Sequence, residues 1–277
     1  MCLVQLLLIR GLVAAFWKKP FTHKPIKWGS ELHDRFMISH YIRRDMEEVI
    51  LYLNDQGIDF KMKWLEPFME FRFPVLGRMV VDETELVLRA GIEPWNVLGE
   101  EMSSSGTARF VDSSMERVEV SLRNFNADRY KLLCNKTIVP VYNTSTPMHF
   151  VAGVRYKAWA PPSAMHPTKK VDTPLVFDIY DSWNKRSIGG CTYHVSHPGG
   201  RNYDTFPINA FEAEGRRVTR FYEENHTPQA LTTVVDQKSV TPGSRFIQPI
   251  AATVDMVEPL EPPKNNDYPF TLDLQAV

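Results

Sequence analysis

The sequence is poor in cysteine and has no excess of charge of either sign. Its 277 residues include 3 cysteines, Cys2, Cys134 and Cys191, with no C-x-x-C spacing among them. An odd, scattered set excludes both a zinc framework and a disulfide scaffold, and it fits reduced thiols in a cytoplasm. A formal net charge of -1 excludes a strong field for nucleic acid or for an anionic membrane surface. Aromatic residues make up 12% and are spread along the chain, without an RNA-type stacking motif. There is no clean membrane-length run either. The opening stretch "MCLVQLLLIRGLVAAFW" is apolar, but it lacks a basic start, is interrupted by Arg10 and is short for a bilayer. It reads as a core helix. No G-x-S-x-G, P-loop, dinucleotide fingerprint or H-E-x-x-H is present, so no catalytic class follows from motifs.

What is there suffices for a stable core. With 43% hydrophobic residues the chain can build one large domain or two ordinary ones without disulfides. Its three N-x-[ST] sequons, at Asn135, Asn143 and Asn225, carry no meaning without secretion.

The patterning predicts an α+β protein: N-terminal helices and a small antiparallel sheet, then a mostly-β, sandwich-like subdomain with one late helix. The first helix should stop at Lys18, Lys19 and Pro20. Ser30 looks like the N-cap of a second helix, broken near Ser39 and ended by Gly57. "MEFRF" and "ELVLRA" then alternate with period two and are predicted to pair as strands through a turn near Asp82. "YKLLCNKTIVPVY" reads as a hairpin with Asn135-Lys136 at its tip, "HFVAGVRYKAW" as a long strand. "PLVFDIYD" and "SIGGCTYHV" form a second hairpin across "SWNKR". A late helix should be capped by Asn209 and Glu212. The polar stretch "EEMSSSGT" suggests a boundary. The expected organisation is therefore 1–100 as a helical and strand segment, 101–228 as a β-rich subdomain, and 229–277 as an extended tail with a last strand in "FTLDL".

Three constellations have chemical potential. "HVSHPGGRNYDTFP" holds His194 and His197, which with Asp178, Asp181 or Cys191 could ligate a metal; otherwise they are structural. In the same stretch Gly199 and Gly200 allow backbone N–H groups to converge on an anion, with Arg201 as a fork and Tyr203 and Asp204 beside it. The competing reading is an ordinary turn with Arg201 paired to Asp204. Glu31, His33, Asp34 and Arg35 crowd a helix start, and a capped, solvated helix end explains them equally. Glu70 and Arg72 share a predicted strand face, and Arg89 and Glu93 follow on the paired segment. Carboxylates with arginines suit a magnesium phosphate; they also suit plain cross-strand salt bridges.

Taken together, "WGSELHDRFM", "IEPWNVLGEE", "VDSSMERV", "AGVRYKAWAPPSAMHP" and "GGCTYHVSHPGGRNYDTFPINAFEAEGRR" resemble the C-terminal part of a bacterial amidoligase family associated with transglutaminase-like domains. The resemblance runs from about Leu3 to the final "FTLDL". It implies a glutamine-synthetase-like, ATP-dependent carboxylate–amine ligase, with ATP and magnesium as cofactors of the full-length family only. The family's "GGGNH"-type and "ELR…MPPH" motifs are expected upstream of this chain, so it is expected to be a fragment, inactive alone. The partners implied are an upstream ligase-like core or transglutaminase-like domain and a peptide or amino-acid substrate, with no nucleic acid and no membrane. The alternative is a non-catalytic β-rich module that binds a peptide or partner. Positions shared with the family's patterns are His33, Asp34, Arg35, Glu70, Arg72, Arg89, Glu93, Arg155, His194, His197, Arg201, Tyr203 and Asp204. Among them Glu70, Arg72, Arg89 and Glu93 are the catalytic candidates, because "LVLRAGIEPW" loosely echoes the "ELR" pattern.

Overall fold

The computed structural model describes residues 2–22, 24, 26–104, 106–161, 163–195, 209, 221–222 and 259–277. The late-helix prediction and the stretch containing His197, Gly199, Gly200, Arg201, Tyr203 and Asp204 lie outside the described residues, apart from Asn209, Phe221 and Tyr222.

The first helix, α1 (Cys2–Lys18), ends beside Pro20 as its sequence dictates. Val4, Leu8, Leu12 and Ala15 recur at helical spacing and pack on Ile50 and Leu53 of α2 (Ser39–Asp55) and on Phe60 and Leu65. The core-helix expectation holds for that side only. The opposite side, with Leu3, Leu6, Ile9, Val13 and Trp17, is exposed, Trp17 to 89%. Among the described residues no helix is long and apolar enough to cross a membrane.

The second helix departs from expectation at its start. Residues Gly29–His33 and Arg35–Met37 form 3₁₀ turns, and the α-helix begins only at Ser39. Ser30 therefore caps nothing, and Ile38 at the N-cap has no side chain able to do so. The cap comes from elsewhere in the chain, as described below.

"MEFRF" is a helix and not a strand. α3 (Glu66–Arg72) carries Glu70 and Arg72, and Pro67 sits in its first turn, where the missing N–H costs nothing. The partner of β2 (Thr84–Ala90) is β1 (Val75–Val81), which turns back at Asp82 with φ of 52°. A hairpin of β3 (Asn96–Ser103) and β4 (Gly106–Asp112) stands apart as its own two-stranded sheet. The predicted division at residue 100 falls inside this hairpin, and strands from both sides of it share one sheet.

That sheet has the order β1-β2-β5-β9-β13, with β8 also paired to β9. Its later members are β5 (Met115–Arg123), β8 (Tyr142–Asn143), β9 (His149–Lys157) and β13 (Thr271–Asp273), the last parallel to β9. The final "FTLDL" thus closes the sheet from the far end of the chain. A second sheet contains β6 (Tyr130–Cys134), β7 (Thr137–Ile138), β10 (Leu175–Asp181), β11 (Arg186–Tyr193) and β12 (Phe221–Tyr222), in the order β12-β11-β10-β6-β7. Both predicted hairpins are present, and Asn135 and Lys136 both take positive φ, as a tight turn requires.

The two sheets face each other across one hydrophobic core. Leu86, Leu88, Val118, Val120, Leu122, Ala152 and Val154 point from the first sheet toward Leu132, Phe177, Ile179 and Cys191 of the second. Each such large side chain contributes about 1.5–3 kcal/mol of burial. Gly189 serves this packing: a Cβ there would meet Val81 at 2.8 Å. The architecture is α+β, a two-sheet body with its helices at the N-terminal side.

Candidate functional site

A strand sends alternate residues to opposite sides, so the apolar core accounts for only half of the first sheet. Its other face is polar. β2 contributes Glu85, Val87 and Arg89. β5 contributes Arg117, Glu119, Ser121 and Arg123. β9 contributes His149, Val151, Gly153, Arg155 and Lys157. The 3₁₀ turns, α2, α3 and the C-terminal stretch cover this face, and every buried charge on it needs a partner.

At one end of this face lies a closed ionic network. Arg117 and Arg155 are directly opposed on β5 and β9, an arrangement that repels unless something intervenes. Glu93 intervenes: it accepts from Arg117 Nε at 3.0 Å and from Arg155 Nε at 2.7 Å, and its side chain is 2% exposed. Arg117 also donates to Asp34 Oδ1 at 3.0 Å and to Thr271 Oγ1 at 3.1 Å. Arg155 donates to Asp273 Oδ2 at 3.1 Å. The Tyr268 ring lies 5.4 Å from one guanidinium and 4.7 Å from the other. Asp34 Oδ2 accepts the Phe270 N–H. The network thus ties the N-terminal turns, the loop after β2 and the last strand to the sheet. Gly153 leaves the space that Thr271 fills; a Cβ there would lie 2.5 Å from its Oγ1.

Further along the same face Glu119 supplies the missing cap of α2. Its carboxylate accepts the Ser39 N–H and, at 2.9 Å, the Ser39 hydroxyl. A carboxylate at a helix N-terminus meets unsatisfied N–H groups and the positive end of the dipole. Burial pushes the Glu119 carboxyl above its usual range, and the Ser39 donors pull it back in part.

Beside this cap α2 and α3 stand off the sheet and leave a cavity of about 340 Å³. Its floor follows from the strand register. Arg89 and Glu119 form one row. Val87, Ser121 and Val151 form the middle row. Arg123 and His149 form the last. Its walls are Ser39, His40 and Arg43 of α2, Met69 and Glu70 of α3, and Arg78 of β1. Three of the four arginines already have carboxylates. Arg89 donates to Glu70 Oε1 at 3.1 Å and to the Phe73 carbonyl at 2.9 Å; Arg78 and Arg123 both pair with Glu85. Arg43, a residue of intermediate exposure, has no ion pair or hydrogen bond among the described residues. Ser121 Oγ and His149 Nε2 are 2.9 Å apart, and the His40 and His149 rings are 6.3 Å apart. Burial, the neighbouring His149 and then Arg44 and Arg35 hold His40 neutral, with its pKa lowered to about 4. His149 is lowered as well, by burial and Arg123.

The structure separates the predicted candidates. Glu70 and Arg89 meet in the cavity. Arg72 is on the exposed side of α3 and lines a different hollow, beside Glu116 and Tyr193. Glu93, Asp34 and Arg155 belong to the ionic network, and His33 is exposed, touching it only through its carbonyl. Arg35 stacks on Tyr41, 4.2 Å from the ring centroid, and pairs with Glu31. Around His194 the proposed co-ligands have other duties: Asp181 grips Arg129 at 2.6 Å and caps a turn, and Cys191 is in the core. Among the described residues no group of three or more His, Cys, Asp or Glu could hold a metal ion.

The sequence reading missed Ser39, His40, Arg43, Glu119, Ser121 and His149. A charged residue between valines in "RVEVSL" was the available signal for a polar sheet face. Nothing local connects Arg43 with His149.

This is a two-sheet α+β protein with an arginine-rich cavity on the polar face of its larger sheet. A family model described as "putative amidoligase enzyme (DUF2126)" matches residues 1–275, and the chain belongs to that family. Comparison with curated proteins and with solved structures finds no match.

Proposed function

We propose that the chain is the C-terminal region of an ATP-dependent carboxylate–amine ligase of the glutamine-synthetase-like kind, acting on a peptide or amino-acid carboxylate. The observation that carries this is Arg43, which forms no ion pair among the described residues and lines a cavity with three further arginines. Such a ligase handles oxyanions throughout. The substrate carboxylate takes a phosphoryl group from ATP, and an amine then displaces phosphate from the acyl phosphate. A guanidinium suits each of these groups.

Magnesium does not fit the described residues. Glu93, Asp34 and Asp273 are taken up by arginines, and Glu119 by the start of α2. No step is therefore assigned to the metal here, and the parts that hold ATP are proposed to lie in an upstream ligase-like core. The outward apolar side of α1 supports such a partner, and equally a transglutaminase-like domain, since a helix of this kind is ordinarily covered. The same face gives the non-catalytic partner-binding module its support.

Phosphate release from magnesium-ATP, with amine and carboxylate donors, tests the ligase reading. Turnover lost in Arg43→Gln is expected from the chain together with its upstream core. Binding of the core without any turnover leaves the partner-binding module, whereas turnover indifferent to Arg43→Gln keeps the ligase reading and removes Arg43 from it. The purified chain alone should self-associate through α1, and a sharply monomeric sedimentation profile would contradict a covered helix.

A further inference from the structure

We propose that the cavity between α2 and the polar sheet face binds the oxyanion end of a small aliphatic molecule, a carboxylate or phosphoryl group, with Arg43 as its principal ligand. This rests on the reading of the cavity as a substrate site and adds which ligand class it takes and how.

Three observations converge. The first is charge. Arg78, Arg89 and Arg123 are matched to Glu85 and Glu70, whereas Arg43 lacks a partner among the described residues. A guanidinium on the cavity wall that no carboxylate occupies is open to an incoming oxyanion, which it meets through charge-assisted hydrogen bonds.

The second is position. Arg43 follows Ser39 by four residues and His40 by three, so the three share one side of α2. Glu119 anchors the first of them to the sheet, which fixes where Arg43 is presented. The anchor occupies the helix N-terminus, so an anion must be held by side chains and not by the helix end. His40, His149 and Ser121 supply donors beside it.

The third is shape. A volume of about 340 Å³ is at the small end of ligand pockets, which run from about 300 to 1,000 Å³. It exceeds what a bare ion needs. The middle of the site is lined by Met69, Val87 and Val151, which suit a short aliphatic body. From the Arg89–Glu119 row to the Arg123–His149 row is four residues of β5, roughly 14 Å at the usual strand rise. At an extended reach of about 3.5 Å per residue, an amino acid or dipeptide fits well inside that length.

Titration of the chain with glutamate, inorganic phosphate and the uncharged diamide glutaramide, read at the His40 and His149 imidazole resonances, tests the proposal without requiring turnover. Glutamate or phosphate should shift both resonances saturably, and glutaramide should not. The tighter of the two anions tells whether the site takes the carboxylate or the phosphoryl group. Arg43→Gln should weaken binding ten-fold or more, Arg43→Lys should restore part of it, and Arg109→Gln, on the exposed β4 outside the cavity, should leave it unchanged. Binding equal in wild type and Arg43→Gln, or no saturable shift with either anion, overturns the site. Arg43-dependent anion binding without ligase turnover leaves the site standing and removes the ligase reading. Turnover that ignores Arg43 does the reverse.

Discussion

The two faces of the six-stranded sheet are built from the same strands by the same alternation, yet they are held by different physics. On the core side Leu88, Val120 and Val154 need only be apolar and about the right size. On the polar side Arg117, Glu119 and Arg155 each require a named partner, drawn from residues 34, 39, 93 and 273. The first face tolerates error in small steps. The second loses a partner all at once. Beside the Glu119 cap lies the cavity, where Arg43 has no carboxylate partner among the described residues.

The largest effect is expected from Glu93→Gln, which leaves Arg117 and Arg155 opposed and partly unpaired. Breaking a buried pair in this way costs about 3–5 kcal/mol, to be read as a lower midpoint in urea unfolding. A loss below that of a surface substitution would mean that water reaches the network. On the other face Leu122→Ala should cost about 2–5 kcal/mol through a cavity left in the core, with the polar-face cavity and its anion binding intact. A parallel loss of both would show that the faces are not independent.

Glu70→Gln gives a smaller effect. Its pair with Arg89 is more than half-exposed on the glutamate side, 55%, so the stability change should stay within about 1 kcal/mol. The comparison with Glu93→Gln is the sharpest available, since both glutamates hold arginines and differ mainly in burial.

A further effect appears only on acidification. His40 stays neutral in the fold down to about 4, from an ordinary value of 6.5. Between those values the unfolded chain binds the proton and the native one does not. The stability at stake is therefore complete above the unfolded value and is lost as pH falls toward 4. The raised Glu119 carboxyl acts in the opposite sense, its share being present at low pH and lost as pH rises through the folded value. The difference between wild type and His40→Gln isolates the imidazole: the wild type should lose ground to the variant on acidification from pH 6.5 to 4. A difference independent of pH would mean that His40 is open to water.

The strands were legible wherever alternation was long. "RVEVSL", "HFVAGVRYKAW" and both hairpins appear where their period-two patterns and turn residues put them. "MEFRF" misled because three alternating apolar residues are compatible with a helix as well. The decisive signal was Glu66-Pro67 just upstream, which opens a helix, and Phe71 proves to be exposed. Of the candidate site, Glu70 and Arg89 were legible as candidates, though grouped with Arg72 and Glu93 on a strand pairing that the structure replaces with α3 over β2. Glu93 was singled out for the right residue type but stands in a buried network, because burial depends on what covers the loop.

By itself the sequence determined the alternation, and with it the existence of one apolar and one polar face on β2, β5 and β9. It also determined where the hairpins turn, because positive φ at Asp82, Asn135 and Lys136 is a local matter. Tertiary structure alone decided which charge meets which. Ser39 and Glu119 are 80 residues apart, and Arg117 and Thr271 are 154 apart. Contacts of that separation leave no trace in local spacing. The part played by Arg43 is likewise tertiary, because the arginines that face it across the cavity pair with Glu70 and Glu85 only once the fold has brought them together.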